Sequence, residues 1–136
     1  MGGFMTEAEF VTKIMQDERV WKWVRIDDVS KDSVQYQPAT YFTNDHGFVM
    51  FRDVSPVMKE VHICMTKGAK NVDEFFMDSL EKMRKKGVKK FLGTIGEWNT
   101  PALKLAKRCG FIEEGRISKA YQRDGQFKSM ILMGAE

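Results

Sequence analysis

The sequence predicts a single α/β domain of the α+β kind, with helices flanking a central sheet. Three observations carry that reading. The stretch from Gly87 to Phe111 reads as a buried strand that delivers one short, sharply bounded helix. Two hairpin turn signals, Asn44-Asp45-His46-Gly47 and Arg123-Asp124-Gly125, each lie between strand-like runs. A long amphipathic stretch follows the strand-like run Val57–Met65, which gives the middle of the chain a β-α-β-α-β order.

Taken in order, Thr6 is a helix N-cap with Glu9 three residues on as a capping box, and Phe10, Val11, Ile14 and Met15 form the apolar face. A second helical stretch over Glu18–Val24 carries Trp21 and Trp23. A polar loop then leads to Val34-Gln35-Tyr36, read as a short first strand. Thr40–Asn44 and Gly47–Arg52 are aromatic-rich strands joined by the first hairpin turn. Ser55-Pro56 breaks the chain before the fourth strand, where alternation puts Met58, Glu60, His62 and Cys64 on one side. Val57, Lys59, Val61, Ile63 and Met65 take the other.

Asn71 is read as the cap of the long helix, with Glu74 at the capping-box position and Val72, Phe76, Leu80 and Met83 inward. That helix ends at Gly87, and Val88–Ile95 is the fifth strand. After the turn Gly96-Glu97-Trp98, Asn99 caps the next helix, with Pro101 in its first turn. Ala102, Leu105, Ala106 and Cys109 form its apolar stripe, and Gly110-Phe111 supplies a Schellman stop. Phe111–Tyr121 and Gln126–Met133 complete the sheet as a hairpin.

At 136 residues the chain can bury a core without staples, and 43% hydrophobic with 30% charged content is that of a globular domain. Cys64 and Cys109 sit in apolar patterns and read as reduced, buried thiols of a cytoplasm-like compartment. With His46 and His62 the only histidines and no CxxC, no metal site is expected. No apolar run reaches membrane-spanning length, and no membrane partner is expected. The opening residues 1–6 match a loose myristoylation pattern, short enough to arise by chance.

The segment Asn99-x-x-Ala102-x-x-Leu105-Ala106-Lys107-Arg108-x-Gly110-Phe111 resembles the N-x-x-A-x-x-L-Y-x-K-x-G-F run of the GNAT N-acetyltransferases, which use acetyl-coenzyme A. The element order resembles the same fold over almost the whole chain, so residues 1–136 are read as one GNAT-like domain. The resemblance implies a mixed, mostly antiparallel sheet splayed between the fourth and fifth strands. It implies transfer of an acetyl group from acetyl-coenzyme A to a primary amine of a small molecule or protein, the acceptor itself being open.

Cofactor contacts carried over with the resemblance fall on Lys67, Gly68, Ala69, Lys70 and Asn71, at the start of the long helix. There Gly68 matches the family pattern, while the family's arginine and second small residue do not align. Asn99 corresponds to a contact with the pantetheine arm or acetyl group. A backbone N–H at a bulge near Cys64 and Met65 would polarise the thioester carbonyl. Glu60 and His62 are the candidates for proton removal, with Glu97 a third. Ala106 stands where many members carry a tyrosine, and the candidates for the acid that protonates the thiolate are Tyr121 and water.

Two other functions compete. Tyr121–Phe127 resembles the C-terminal hairpin of small bacteriophage-encoded GNAT-like proteins, some associated with virion assembly. That resemblance implies an eroded, non-catalytic binding or assembly protein with a virion or host protein partner, in the host cytoplasm or the virion. A homodimer is equally open. The basic run Lys82, Arg84, Lys85, Lys86, Lys89 and Lys90 would suit nucleic acid, but Asp78 and Glu81 precede it and a net charge of +3 is small. A helix C-terminus that balances its dipole explains that run better. Trp21, Trp23 and Trp98 are candidates for an acceptor wall or for core packing.

Overall fold

A computed structural model describes residues 5–136. Met1–Phe4 of the myristoylation pattern lie outside the described residues. The chain opens with helix α1 (Glu7–Gln16), where Thr6 accepts from the Glu9 amide at 3.1 Å and donates to the Glu9 carboxylate at 3.0 Å. Asp17 then caps α2 (Glu18–Val24), accepting from the Arg19 amide at 2.9 Å. Val11, Ile14 and Val20 are the residues these helices bury.

The strand expected at Val34–Tyr36 does not form. A 3-10 turn at Lys31–Ser33 is followed by unpaired chain, and the sheet begins at β1 (Thr40–Asn44). The aromatic that suggested a strand is used sideways instead. Tyr36 stacks on Tyr41 with ring centroids 5.2 Å apart and donates its hydroxyl to Glu7 at 3.0 Å, which ties the segment beneath α1.

β1 pairs antiparallel with β2 (Gly47–Asp53), and β2 with β3 (Met58–Met65). Helix α3 (Val72–Lys85) crosses over to β4 (Lys90–Gly96), which lies parallel to β3. Helix α4 (Thr100–Arg108) leads to the hairpin of β5 (Ile112–Arg123) and β6 (Gln126–Ala135). The sheet order is β1-β2-β3-β4-β6-β5, mixed and mostly antiparallel, with a β3–β4 parallel pair. Asp124 and Gly125, both at positive φ (52° and 76°), make the two-residue turn whose twist suits a hairpin.

Two cores hold the sheet. On one face α3 and α4 pack Phe76, Leu80, Met83 and Leu105 against Phe51, Val61, Phe91, Ile131 and Met133. On the other, α1 and α2 pack Val11, Ile14 and Val20 against Phe48 and Met50. The predicted stripe of α3 is the one that is buried, but its predicted cap is not a cap. Asn71 has φ 57° and ψ 37°, a left-handed backbone, and its side chain makes no capping bond. An N-cap needs extended backbone to aim its side chain at the first turn, and this conformation aims it elsewhere.

Half of the basic run has structural work. Arg84 donates to the carbonyl of Glu136 at 3.2 and 2.8 Å and lies over Phe91, Lys82 lies over Phe42, and Lys90 pairs with Glu114. Among the described residues no helix is long and apolar enough to cross a membrane.

The α2 cap generates a pH prediction. The Asp17 carboxyl is held down at about 2, first by the Arg19 side chain and then by the Arg19 amide. A carboxylate lowered on folding stabilises the fold above its unfolded value, and that share is lost as pH falls from about 4 toward 2. Asp17→Ala is expected to cost about 1 kcal/mol at neutral pH. It should also flatten the acid limb of the stability curve, measured by denaturant titration at several pH values.

Candidate functional site

The parallel pairing of β3 with β4 covers only Met58 to Glu60 against Lys90 to Leu92. Beyond Glu60, β3 stays with β2 while β4 stays with β6, and a cleft opens between them. The cavity is about 250 Å³, with Ile63 and Cys64 on one wall, Gly93–Gly96 on the other, and Phe76, Ala106 and Phe111 at its floor. A second opening of about 280 Å³ shares Ile63, Cys64, Asn99 and Ala102 with the first and runs to Val72 at the start of α3. The splay expected between these strands is therefore present.

Parting the strands leaves backbone amides without a ladder. The Thr66 amide donates to the His46 carbonyl on the β2 side at 2.8 Å, whereas the carbonyl of Val57 accepts from Lys89 and Lys90 on the β4 side. Alternation along β3 therefore turns the amides of Val61, Ile63 and Met65 toward β4, and those of Ile63 and Met65 lie where the two strands have parted. No bulge produces this. The β2–β3 register runs unbroken from Gly47↔Met65 to Asp53↔Lys59, so the bulge expected near Cys64 and Met65 is absent. Register shifts occur in β5 instead.

At the neck of the cleft Glu60 and His62 meet, as their shared side of the strand requires. Glu60 Oε2 lies 3.0 Å from His62 Nε2 and accepts from the Thr94 hydroxyl at 3.2 Å, while Oε1 lies 3.6 Å from Arg52 Nε. The bond from His62, then the charges of His62 and Arg52, hold the Glu60 carboxyl below the usual carboxylate range against the opposing effect of burial. An ionised carboxylate only accepts, so the proton of this pair sits on Nε2. In the neutral ring Nδ1 is then a free lone pair on a side chain that lines the cleft.

Tyr121 also lines the cleft, its ring edge-on to Trp98 at 5.2 Å. Burial, and secondarily the charge of Glu60, pushes its phenol up, so the hydroxyl keeps its proton. His62 and Tyr121 thus line one cleft, with Glu60 bonded to His62 beside it. Glu97 does not: its carboxylate accepts from the Ser129 amide at 3.1 Å, and Arg116 lies 4.0 Å away. Burial raises the Cys64 thiol to about 12, which keeps it a thiol at neutral pH.

The loop from Lys67 to Asn71 forms a turn at the mouth. Gly68 is at φ 90°, and the Ala69 amide is used within the turn, donating to Thr66 at 3.3 Å. Lys67 and Lys70 have no ion pair among the described residues. Arg108, which lines the same opening, is held by Asp73 in the first turn of α3 at 2.7 and 3.0 Å. Asn99 caps α4, its carbonyl oxygen accepting from the Ala102 amide at 3.3 Å.

The roof is a clamp that sequence reading did not find. Asp27 accepts from the Asp124 and Gly125 amides at the hairpin tip, each at 2.9 Å, and Arg25 pairs with Asp124 at 3.0 Å. Arg123 donates to the Arg25 and Lys22 carbonyls at 2.8 and 2.7 Å and lies over Trp98. Trp98 donates to the Trp23 carbonyl at 2.7 Å. The one available signal was a turn whose two amides have no partner within a hairpin.

By shape the chain is similar to solved N-acetyltransferases. Against the ribosomal-protein-alanine N-acetyltransferase of Brucella melitensis the TM-score is 0.59 at 16% identity, covering 70% of this chain and 65% of that one. A Salmonella typhimurium protein described as an acetyltransferase, solved with its cofactor acetyl-CoA, gives 0.60 at 13% identity over 67% and 57%. A variant of spermidine N-acetyltransferase from Vibrio cholerae gives 0.59 at 19% identity over 66% and 56%. The chain spans less than two thirds of each of these proteins. No family model and no curated protein matches the sequence.

Two outcomes follow from the roof and wall. A methyl group on Gly96 would run into the Trp98 ring, which its bond to Trp23 and the flanking Tyr121 and Arg123 hold in place. Gly96→Ala should therefore cost about 1–3 kcal/mol and alter tryptophan fluorescence. Native Cys64 should react with iodoacetamide far more slowly than the unfolded chain, followed by mass spectrometry. The splayed sheet, its crossover helices and the shape matches agree on one architecture: this chain has the GNAT N-acetyltransferase fold.

Proposed function

We propose that the chain is an N-acetyltransferase that moves an acetyl group from acetyl-coenzyme A to a primary amine. The observation that carries this reading is the Glu60–His62 pair, at 3.0 Å, which sets His62 on the wall of a splayed cleft. Acetyl-coenzyme A supplies an activated acyl carbon and a thiolate leaving group. His62 Nδ1 takes a proton from the attacking amine as the new N–C bond forms. Glu60, bonded to Nε2, orients the ring and balances the imidazolium that results.

The amides of Ile63 and Met65 face the gap, where they suit negative charge developing on a carbonyl oxygen. Tyr121 gives its proton to the thiolate as the C–S bond breaks and regains one from His62 through solvent. Lys67 and Lys70 provide cations at the phosphate end, with the backbone around Gly68, Ala69 and Asn71 beside them. The carboxamide nitrogen of Asn99 serves the arm between. Cys64 contributes a wall and no nucleophile.

Ala106 at the cleft floor and the Asp73–Arg108 pair at its mouth favour one alternative, a binding or assembly protein that kept the fold and lost the chemistry. That pair neutralises a cation and places a carboxylate in the first turn of α3, where a diphosphate would lie. The two readings separate on cofactor binding. A transferase at a hundredfold excess of acetyl-coenzyme A over its dissociation constant gains about 2.7 kcal/mol.

His62→Gln is expected to lower turnover of an accepted amine by about 10²–10⁴-fold. The thermal shift with acetyl-coenzyme A should be unchanged. Released thiol and product mass report the transfer. A chain that acetyl-coenzyme A does not stabilise is no transferase, and the assembly reading then stands.

A further inference from the structure

Behind β3, on the α1–α2 side of the sheet, lies a third cavity of about 260 Å³ that meets the cleft at Val24, His62 and Cys64. His62 therefore borders both spaces. The walls are mainly apolar, with Val20, Trp21, Phe48 and Met50 prominent. No carboxylate lines it among the described residues, and its one permanently charged side chain is Arg52.

That guanidinium is 45% exposed and keeps donors that no protein group takes among the described residues. Nη1 donates to the Gln37 carboxamide at 3.0 Å, and Nε lies 3.6 Å from Glu60, beyond hydrogen-bond reach. Nη2 has no partner among the described residues, and a guanidinium carries five donors. Register fixes its distance from the base. Arg52 pairs with Glu60 and Met50 with His62, so Arg52 and His62 are diagonal neighbours on one face, with Cα atoms about 7–8 Å apart.

Resting on the transferase reading above, we infer that the acceptor is an amino acid with an apolar side chain. Its amine faces His62, its carboxylate takes the Arg52 fork, and its side chain fills the apolar walls. The short span between base and cation suits an amine and a carboxylate carried on one small molecule. Two parallel N–H donors on a carboxylate give geometric selection as well as charge. A polyamine brings no carboxylate to the Arg52 fork and meets its like charge.

The test is calorimetric titration of L-phenylalanine, L-phenylalaninamide and spermidine into the full chain, with and without coenzyme A, followed by product detection with acetyl-coenzyme A. Phenylalanine is expected to bind about tenfold to a hundredfold tighter than its amide. Spermidine should not compete. Arg52→Gln should bring acid and amide to one affinity, Arg52→Lys should restore part of the difference, and the shift with acetyl-coenzyme A should persist in both.

Equal or tighter binding of the amide or of spermidine overturns the inference, as does a preference that survives Arg52→Gln, or no binding of phenylalanine. Arg52-dependent binding of phenylalanine without stabilisation by acetyl-coenzyme A would keep the pocket and discard the transferase reading. The converse result would do the opposite.

Discussion

The structure depends on two strands that pair for three residues and then part. Each has a stronger attachment elsewhere: β3 is zipped to β2 over seven residue pairs, and β4 to β6 over six. Sheet twist moves strands apart cumulatively, and a short parallel contact is the weakest place for the sheet to open. The crossover through α3 keeps the two halves in register at one end, because Phe76, Leu80 and Met83 bind Val61 and Phe91 into the same core. Opening the other end leaves amides unpaired, a cost of about 1–3 kcal/mol per buried group unless water or a ligand meets them. A fold that keeps such a gap has reserved those donors.

Charge at the neck is arranged around Glu60. It receives His62, Thr94 and, at longer range, Arg52, so one carboxylate sets the orientation of an imidazole and partly balances a guanidinium. The basic run at the end of α3 lies elsewhere, and three of its six cations are engaged. Arg84, Lys82 and Lys90 meet the Glu136 carbonyl, the Phe42 ring and the Glu114 carboxylate, and Arg108 is matched by Asp73.

How much was legible in the sequence follows from the range of each interaction. Helix α4 was readable to the residue because its determinants are local. Asn99 caps Ala102, and Gly110 closes a Schellman turn in which Phe111 donates to Ala106 at 2.9 Å. The side of β3 that gathers Glu60 and His62 was readable from period-two alternation. Val34–Tyr36 was not, because strand propensity says nothing about whether a ladder partner exists. Asn71 failed for a related reason: the capping pattern assumes an extended backbone, and the turn from Gly68 delivers a left-handed one. The Asp27 clamp joins positions almost a hundred residues apart, and no window on the sequence contains both ends.

That clamp bears on the missing tyrosine of α4. In the proposed reaction the acid comes from β5 rather than from the helix, so its position must be fixed from outside the local Asn-to-Phe motif. Tyr121 lies two residues before Arg123, which donates to the Lys22 carbonyl of α2 and the Arg25 carbonyl just after it and lies over Trp98, and Trp98 in turn is bonded to Trp23. The phenol is thus held by the same contacts that roof the cleft. Replacing the helix tyrosine by Ala106 leaves an apolar floor, which widens the passage without unfixing the donor above it. A side chain so well braced, with its proton retained by burial, can serve as the acid without the motif residue that sequence comparison would look for.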